Sequence, residues 1–166
     1  MAKDESFDVV SEVNLQEVDN AYQQTRKELM QRYDLKDSKA SLDYESAAKR
    51  FVLNAPSEFV ARQVIDVLNT KLVHRKVDLK SLHWSEPQSA SGMTVRFYGD
   101  LVEGISKELA AKISKQVRDL KLKHVKVQVE GEKLRVFSQS RDELQKVIGF
   151  LKEQDYGQPL QYVNYR

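Results

Sequence analysis

One pattern of residues occurs twice in this chain of 166 residues, about 83 positions apart. Each copy consists of a short strand-like run, a polar break, a serine and an amphipathic helix, with Ser57 and Ser140 at equivalent places. Serine is a preferred residue at a helix N-cap, and the acidic residues that follow both serines suit a helix N-terminus. A duplication of this length predicts two copies of one structural unit.

The rest of each half is duplicated as well. Residues 7–18 and 95–105 each contain a strand that runs directly into a helix, and two short strands follow each helix, with Gly131 at a turn in the second copy. Apolar residues at spacings of three and four predict one apolar stripe on each helix. The stripes are Leu15, Val18, Tyr22 and Leu29 in the first copy and Ile105, Leu109, Ile113, Val117 and Leu120 in the second.

A final strand closes each half, so each half is predicted as the β-α-β-β-α-β or ferredoxin-like unit. The chain is therefore expected to be an α+β protein of two tandem ferredoxin-like domains, each a four-stranded antiparallel sheet with two helices on one face. The domains are expected at residues 1–84 and 93–166, with the polar segment 85–92 as the linker. Since the first strand of each half has two similar sheets to choose from, strand exchange between the halves stays open.

Composition and charge exclude several classes of protein. The formal charge of +2 permits an anionic partner without requiring one, and the absence of cysteine excludes disulfides and thiolate chemistry. The sequence begins without a signal-like pattern and contains no apolar run near the roughly 18 residues of a membrane span. A cytoplasmic protein without a membrane partner is expected.

No set of residues indicates catalysis. The three histidines, His74, His83 and His124, share no helix turn and lack acidic partners at ligand spacing, so no metal site is expected. Gly99 and Gly104 match neither phosphate-loop pattern, and no serine has the partners of a catalytic triad. We expect a protein that is not an enzyme and that uses no cofactor.

Alternation along the strands predicts which side chains point away from the helices. In the second half, that outer face is predicted to combine two aromatic rings with four cations: Arg96, Tyr98, Lys126, Gln128, Lys133, Arg135 and Phe137. In the RNA-recognition module of this fold, aromatic rings on central strands stack on bases. Such a face equally suits packing against a partner or the sister domain, and both interpretations stay open. The outer set of the first half is neither basic nor aromatic: Val10, Glu12, Arg50, Val52 and Asn54.

Residues 107–126 form a second basic region, which suits either a phosphate backbone or a solvated helix face.

Four stretches resemble the YajQ family of bacterial nucleotide-binding proteins: SFDVVSEVNLQEVDNA, YDLKDSKA, GISKELAAKI and GQPLQYVNYR. The resemblance implies tandem RNP-like ferredoxin folds and binding of nucleic acid or nucleotides, with no catalysed reaction. Members are linked to tRNA, to GTP, or to cyclic di-GMP signalling through transcription factors. Leu35 departs from the phenylalanine that the family often has at this place.

The first and last of these stretches are expected to lie near each other, as strands that share or flank a cleft between the halves. Four polar residues there are candidates to contact the base edges and phosphates of a nucleotide: Gln158, Gln161, Asn164 and Arg166. The alternative is that they only tie down the chain termini.

The sequence thus favours a non-enzymatic protein that binds RNA, tRNA included, or a guanine nucleotide such as GTP or cyclic di-GMP. The ligand would lie on an outer sheet face or in a cleft between the domains. The alternative is an interaction adaptor that docks a transcription factor or another protein, with nucleotide as effector.

Overall fold

The computed structural model describes residues 4–32, 35 and 37–166; Tyr33, Asp34 and Lys36, within the second of the resembling stretches, lie outside the described residues. The elements follow in the order β1 (Glu5–Val10), α1 (Leu15–Gln31), β2 (Ser41–Glu45), β3 (Arg50–Ala55), α2 (Glu58–His74), β4 (Leu82–Trp84), β5 (Gln88–Ala90), β6 (Thr94–Leu101), α3 (Lys107–Asp119), β7 (Lys126–Glu130), β8 (Lys133–Ser138), α4 (Arg141–Lys152) and β9 (Gln161–Val163).

The chain forms two compact units, and each unit takes strands from both halves of the repeat. The continuous unit is Val13–Val102, and the split unit joins the residues up to Glu12 with Glu103–Arg166. The sheet of the split unit has the order β7-β8-β1-β9, and that of the continuous unit has the order β2-β3-β6-β4, with β5 also pairing with β6. All these pairs are antiparallel. The two predicted ferredoxin-like sheets are therefore present, and β1 and β6 have changed places between them.

The exchange explains why the units differ from the halves of the repeat. The predicted boundaries at 84 and 93 follow the duplicated sequence, whereas the units divide the chain at Glu12 and Glu103. The segment expected as a linker also contains structure, because β5 pairs with the start of β6 and Gly92 adopts a φ of 73° in the turn between them. A positive φ of this kind is readily adopted by glycine.

Each unit has its own core between its sheet and its two helices. In the continuous unit, Phe51 and Leu53 of β3 and Phe97 of the exchanged β6 are buried against α1 and α2. In the split unit, Phe7 and Val9 of the exchanged β1 occupy the same place, against α3 and α4. Burial of these aromatic and branched side chains is the main stabilising contribution to each unit.

The predicted N-caps are confirmed. The Ser57 hydroxyl accepts a hydrogen bond from the Val60 amide at 3.2 Å, and the Ser140 hydroxyl accepts one from the Glu143 amide at 3.3 Å. The predicted turn at Gly131 is also present, with a φ of 61° at the first of two residues between β7 and β8. Positive φ at this position alone is typical of a type II′ hairpin turn.

The helices α1 and α3 are capped by Asn14 and Ser106, which gives a common origin for comparing them. Counted from these caps, three buried positions of the two helices coincide, as Val18, Ala21 and Thr25 in α1 and Ala110, Ile113 and Val117 in α3, whereas Tyr22 is a fourth buried residue of α1 only. Tyr22 therefore corresponds to Ser114. The order of residues in the two apolar stripes had instead paired Tyr22 with Ile113, which is one position earlier in α3.

Candidate nucleotide-binding faces

The strand exchange divides the surface that alternation predicted. Arg96 and Tyr98 lie on β6 in the continuous unit, whereas Lys126, Gln128, Lys133, Arg135 and Phe137 lie on β7 and β8 in the split unit. A single sheet face containing all seven residues is therefore wrong. The alternation predicted for β6 and β8 is confirmed, since the residues flanking the outward positions, Leu134, Val136 and Phe97, are buried in the cores. In β7 the flanking Val127 is half-buried and Val129 is exposed.

The outer face of the split unit is organised around Asp8, which β1 places opposite Arg135. The Asp8 carboxylate is buried and accepts hydrogen bonds from Arg135 Nε at 2.8 Å, Lys133 Nζ at 3.3 Å and Asn164 Nδ2 at 2.8 Å. A buried carboxylate needs such partners, because its charge has lost the hydration of the unfolded chain. Three of the predicted binding residues thus direct donors at a carboxylate of their own unit.

These contacts keep the Asp8 carboxylate ionised. The hydrogen bond from Arg135, supported by Asn164 and Lys133, outweighs burial and holds the pKa of Asp8 well below its usual range. Arg135 also lies 3.5 Å from Glu130. Two cations therefore face two carboxylates here, and little net positive charge remains for a phosphate. This arrangement could not be predicted from the sequence, because Asp8 resembled a surface carboxylate until its cross-strand partner was known.

The two end stretches do meet, as β1 and β9 pair in one sheet. Their amide side chains bind the main chain and nearby side chains of the split unit. Gln158 Nε2 donates to Ser11 Oγ at 2.8 Å and to the Gly104 carbonyl at 2.7 Å, and the Gln161 amide pairs with the main chain of Glu12. The main chain of Arg166 bonds to that of Ser6 in both directions. These contacts favour the role of tying down terminal segments.

Through the strand exchange, the outer face of the continuous unit acquires an aromatic residue, which the outer set of the first half lacks. Tyr98 lies on the central strand β6, opposite Val52 of β3, and the Arg50 guanidinium lies 4.7 Å from the centre of its ring. Two residue pairs along, on the same face, Arg96 Nε donates to Asn54 Oδ1 at 2.8 Å. The outer face of this unit therefore holds a tyrosine ring flanked by two arginines.

The two arginines differ in electrostatic surroundings. Arg50 Nε donates to Asp100 Oδ1 at 2.9 Å, and that hydrogen bond and charge raise its pKa further, so it is always protonated. Arg96 is held by a neutral amide and forms no ion pair with the residues that the structure describes, so its charge is uncompensated. Ser85 fixes the strand beneath them, since its hydroxyl accepts from the Tyr98 amide and its amide donates to the Tyr98 carbonyl.

A concave site of about 330 Å³ lies elsewhere in the split unit, at the start of α4. It is lined by Glu5, Ser6, Arg141, Leu144, Gln145, Tyr165 and Arg166. One of its two cations, Arg141, is bonded to both oxygens of Glu5 at 2.8 and 3.0 Å. The neutralised arginine makes this cavity a weaker anion site than the face around Tyr98.

Among residues 4–32, 35 and 37–166, no three histidine, aspartate or glutamate side chains are grouped as metal ligands would be. In the same part of the chain, no helix combines the length and the apolar character needed to cross a bilayer.

Two antiparallel sheets with helices on one side, and side chains of mixed aromatic and basic character on the other, define a tandem RNP-like protein. The family model described as "Nucleotide-binding protein YajQ-like" matches residues 5–166, and the chain belongs to this family.

Proteins named as nucleotide-binding are similar over nearly the whole chain. One from Desulfitobacterium hafniense is 45% identical over 166 residues, which cover all of both chains. One from Streptomyces coelicolor is 48% identical over 163 residues, or 98% of this chain and 99% of the relative. One from Enterococcus faecalis is 46% identical over 165 residues, or 99% of both chains. These names mention nucleotide binding and no reaction.

Proposed function

We propose that the chain is a non-enzymatic protein that binds RNA or a guanine nucleotide, GTP and cyclic di-GMP included, on the outer face of the continuous unit. The observation that carries the proposal is the Tyr98 ring on a central strand between Arg50 and Arg96. The family and the names of the relatives support nucleotide as the ligand class.

The tyrosine ring supplies the base contact. Stacking of one base on an aromatic side chain contributes about 1–3 kcal/mol and tolerates any base. Arg50 now covers the ring from a water-exposed position, at 40% side-chain exposure. A base either displaces this guanidinium or is enclosed between it and the ring, since the planar guanidinium itself stacks on aromatic groups.

The arginines supply the phosphate contact. The Nε atom of Arg96 is bonded to Asn54, which fixes the side chain and leaves the terminal nitrogens as donors for phosphate oxygens. In the same way, Arg50 Nε donates to Asp100, and the terminal nitrogens of Arg50 remain as donors for phosphate oxygens. Arginine pairs well with phosphate because its planar fork matches two oxygens at once.

The outer face of the split unit serves this function less well. Its aromatic ring, Phe137, has Lys126 opposite it on β7, but Arg135 and Lys133 are held by Asp8. Replacing Arg135 would also leave a buried carboxylate without its main partner, so a loss of binding in that variant would not separate a contact from misfolding.

The experiment is a titration of the purified full chain with a short fluorescent mixed-sequence RNA, GTP and cyclic di-GMP, each at about 50 and 200 mM salt. Tyr98→Leu should weaken binding about 10-fold or more, as expected for one lost stack. Arg96→Gln should weaken it and also flatten its salt dependence. Phe137→Leu is the matched control on the other sheet and should change affinity less than Tyr98→Leu.

The proposal is wrong if none of the three ligands binds at either salt concentration. It is also wrong if Phe137→Leu abolishes binding while Tyr98→Leu leaves it unchanged, which would move the site to the split unit. Circular dichroism and thermal unfolding of each variant establish that the fold is retained.

A further inference from the structure

The split unit contains a groove of about 580 Å³ between α3 and β7. It is lined by Ser114, Val117, Arg118, Leu122, Val125, Lys126 and Val127. β7 is the edge of its sheet, and within the described part of the chain its only strand partner is β8. One side of this strand therefore presents main-chain donors and acceptors that no described strand pairs.

The sister unit shows why this groove exists. At the same edge of the continuous unit, the Tyr44 ring of β2 stacks on Phe51 at 4.8 Å, and Tyr22 of α1 lies 5.9 Å from Tyr44. Tyr22 corresponds to Ser114 by distance from the helix N-caps. Two aromatic rings therefore close the edge in one unit, and in the other unit they are missing.

The strand beside the groove shows a similar loss at Val129, which lies beyond the residues that line the groove. Tyr44 pairs with Phe51, and the corresponding pair in the split unit is Val129 with Leu134. Val129 points towards the helix side and is 49% exposed, whereas the tyrosine at its place in the sister unit packs on the core. The groove thus lies beside a strand with one unpaired edge, where the sister unit has two aromatic rings.

The surroundings of the groove are basic. Residues 107–126 contain seven lysines and arginines and two acidic residues. All seven of these cations are exposed and form no ion pair with the described residues, and five of them lie from the middle of α3 to β7: Lys115, Arg118, Lys121, Lys123 and Lys126. In contrast, the sister edge β2 carries Asp43 and Glu45.

We propose that β7 accepts an extended acidic segment of a partner protein as a fifth strand, with one aromatic side chain of that segment in the groove. Strand addition uses the free main-chain groups of β7, alternate side chains of the guest enter the groove, and the cations pair with its carboxylates. A second copy of this chain would bring a second basic segment, residues 107–126, to the same edge, where the exposed cations of the two copies would repel each other. A nucleic acid would use the cations but neither the apolar walls nor the strand edge.

The test is an NMR titration of the isotope-labelled full chain with a seven-residue probe peptide in which four glutamates alternate with valine, tyrosine and valine. We expect the amide signals of β7 to shift, together with those of Ser114 and Val117 in the groove. A matched peptide with lysine in place of each glutamate should bind at least 10-fold more weakly.

Charge-reversed chains sharpen the test. The double variant Arg118→Glu with Lys126→Glu should weaken the glutamate peptide by 10-fold or more, while Lys146→Glu on α4 changes the same kind of charge away from the groove and should have little effect. Tyr98→Leu should bind the peptide as the unaltered chain does, so the result is independent of the nucleotide proposal.

Three outcomes would overturn the inference. The first is that β7 signals do not move at millimolar peptide. The second is that both peptides shift them equally. The third is that a short RNA shifts the β7 signals and Arg118→Glu with Lys126→Glu abolishes that shift, while the peptide has no effect. That result would assign the edge to nucleic acid.

Discussion

The two units share one fold and distribute charge in opposite ways. In the continuous unit the outer face carries Arg50 and Arg96 beside Tyr98, and the edge strand β2 is acidic. In the split unit the outer face directs its cations at Asp8, and the edge strand β7, which carries Lys126 and Glu130, follows the basic segment 107–126. The two units therefore keep one scaffold and differ in where cations without an ion pair to the described residues lie, on the outer face in one unit and beside the edge strand in the other.

The first prediction concerns the exchanged strands β1 and β6, and it has the largest expected effect on stability. Phe7 precedes the continuous unit in the chain but fills the core of the split unit. Phe7→Ala should lower the free energy of unfolding by about 3–5 kcal/mol, because it removes a fully buried aromatic side chain. Hydrogen exchange should show loss of protection in β8, β9 and α4, with a smaller change in β2 and β3.

Phe97→Ala is the matched variant on the other exchanged strand and should deprotect β3 and α2 first. If Phe7→Ala instead deprotects β2 and β3 before β8, the strand exchange is absent in solution and the sheets follow the halves of the repeat.

The second prediction concerns the neutralised face. The folded-state pKa of Asp8 is depressed below its unfolded value of about 3.9. Its contribution to stability is therefore fully present above about pH 4 and is lost as the pH falls towards the folded-state value. Asp8→Asn should cost about 1–3 kcal/mol at pH 7, because the donors around it lose an ionised acceptor.

Urea unfolding from pH 7 down to about pH 2.5 measures this effect. The unaltered chain should lose stability below about pH 4 more steeply than Asp8→Asn. Asp100→Asn is the control, since that carboxylate is 53% exposed on the other sheet and should leave the slope nearly unchanged. Equal acid slopes for Asp8→Asn and the unaltered chain would show that Asp8 is not held as the structure places it.

The first two predictions concern features of the fold that could not be predicted from the sequence alone. The duplication, the caps at Ser57 and Ser140, the turn at Gly131 and the inward or outward direction of side chains all follow from local patterns. The partners of β1 and β6 do not, because both sheets offer a similar apolar strand. Without that pairing, Asp8 could not be matched to Arg135, and Tyr98 could not be placed beside Arg50.

The third prediction concerns a variant in which the edge of the split unit receives the aromatic rings of the continuous unit's edge. Ser114→Tyr with Val129→Tyr would supply to the split unit the rings that Tyr22 and Tyr44 give to the continuous unit. Filling the groove should stabilise the chain by about 0.5–2 kcal/mol, as other cavity-filling changes do. The same variant should no longer bind the glutamate peptide. Lower stability together with unchanged peptide binding would mean that the two edges are not equivalent.

The smallest expected effect compares the ends of one helix from each unit. Lys76 follows α2 with a φ of 61° and Lys121 follows α3 with a φ of 56°, a conformation that costs most residues free energy and glycine little. At α2 the amides of Val77 and Lys76 bond to the carbonyls of Leu72 and Val73, which is the Schellman pattern.

Lys76→Gly and Lys121→Gly should each raise the free energy of unfolding by about 0.5–1 kcal/mol, since relief of the left-handed strain exceeds the added freedom of glycine in the unfolded chain. Chemical denaturation measures both, and Lys146→Gly within α4 is the control that should destabilise by a similar amount. A gain at Lys76 without one at Lys121 would show that the end of α3, beside the groove, lacks the rigid cap of α2 and adjusts its conformation at little cost.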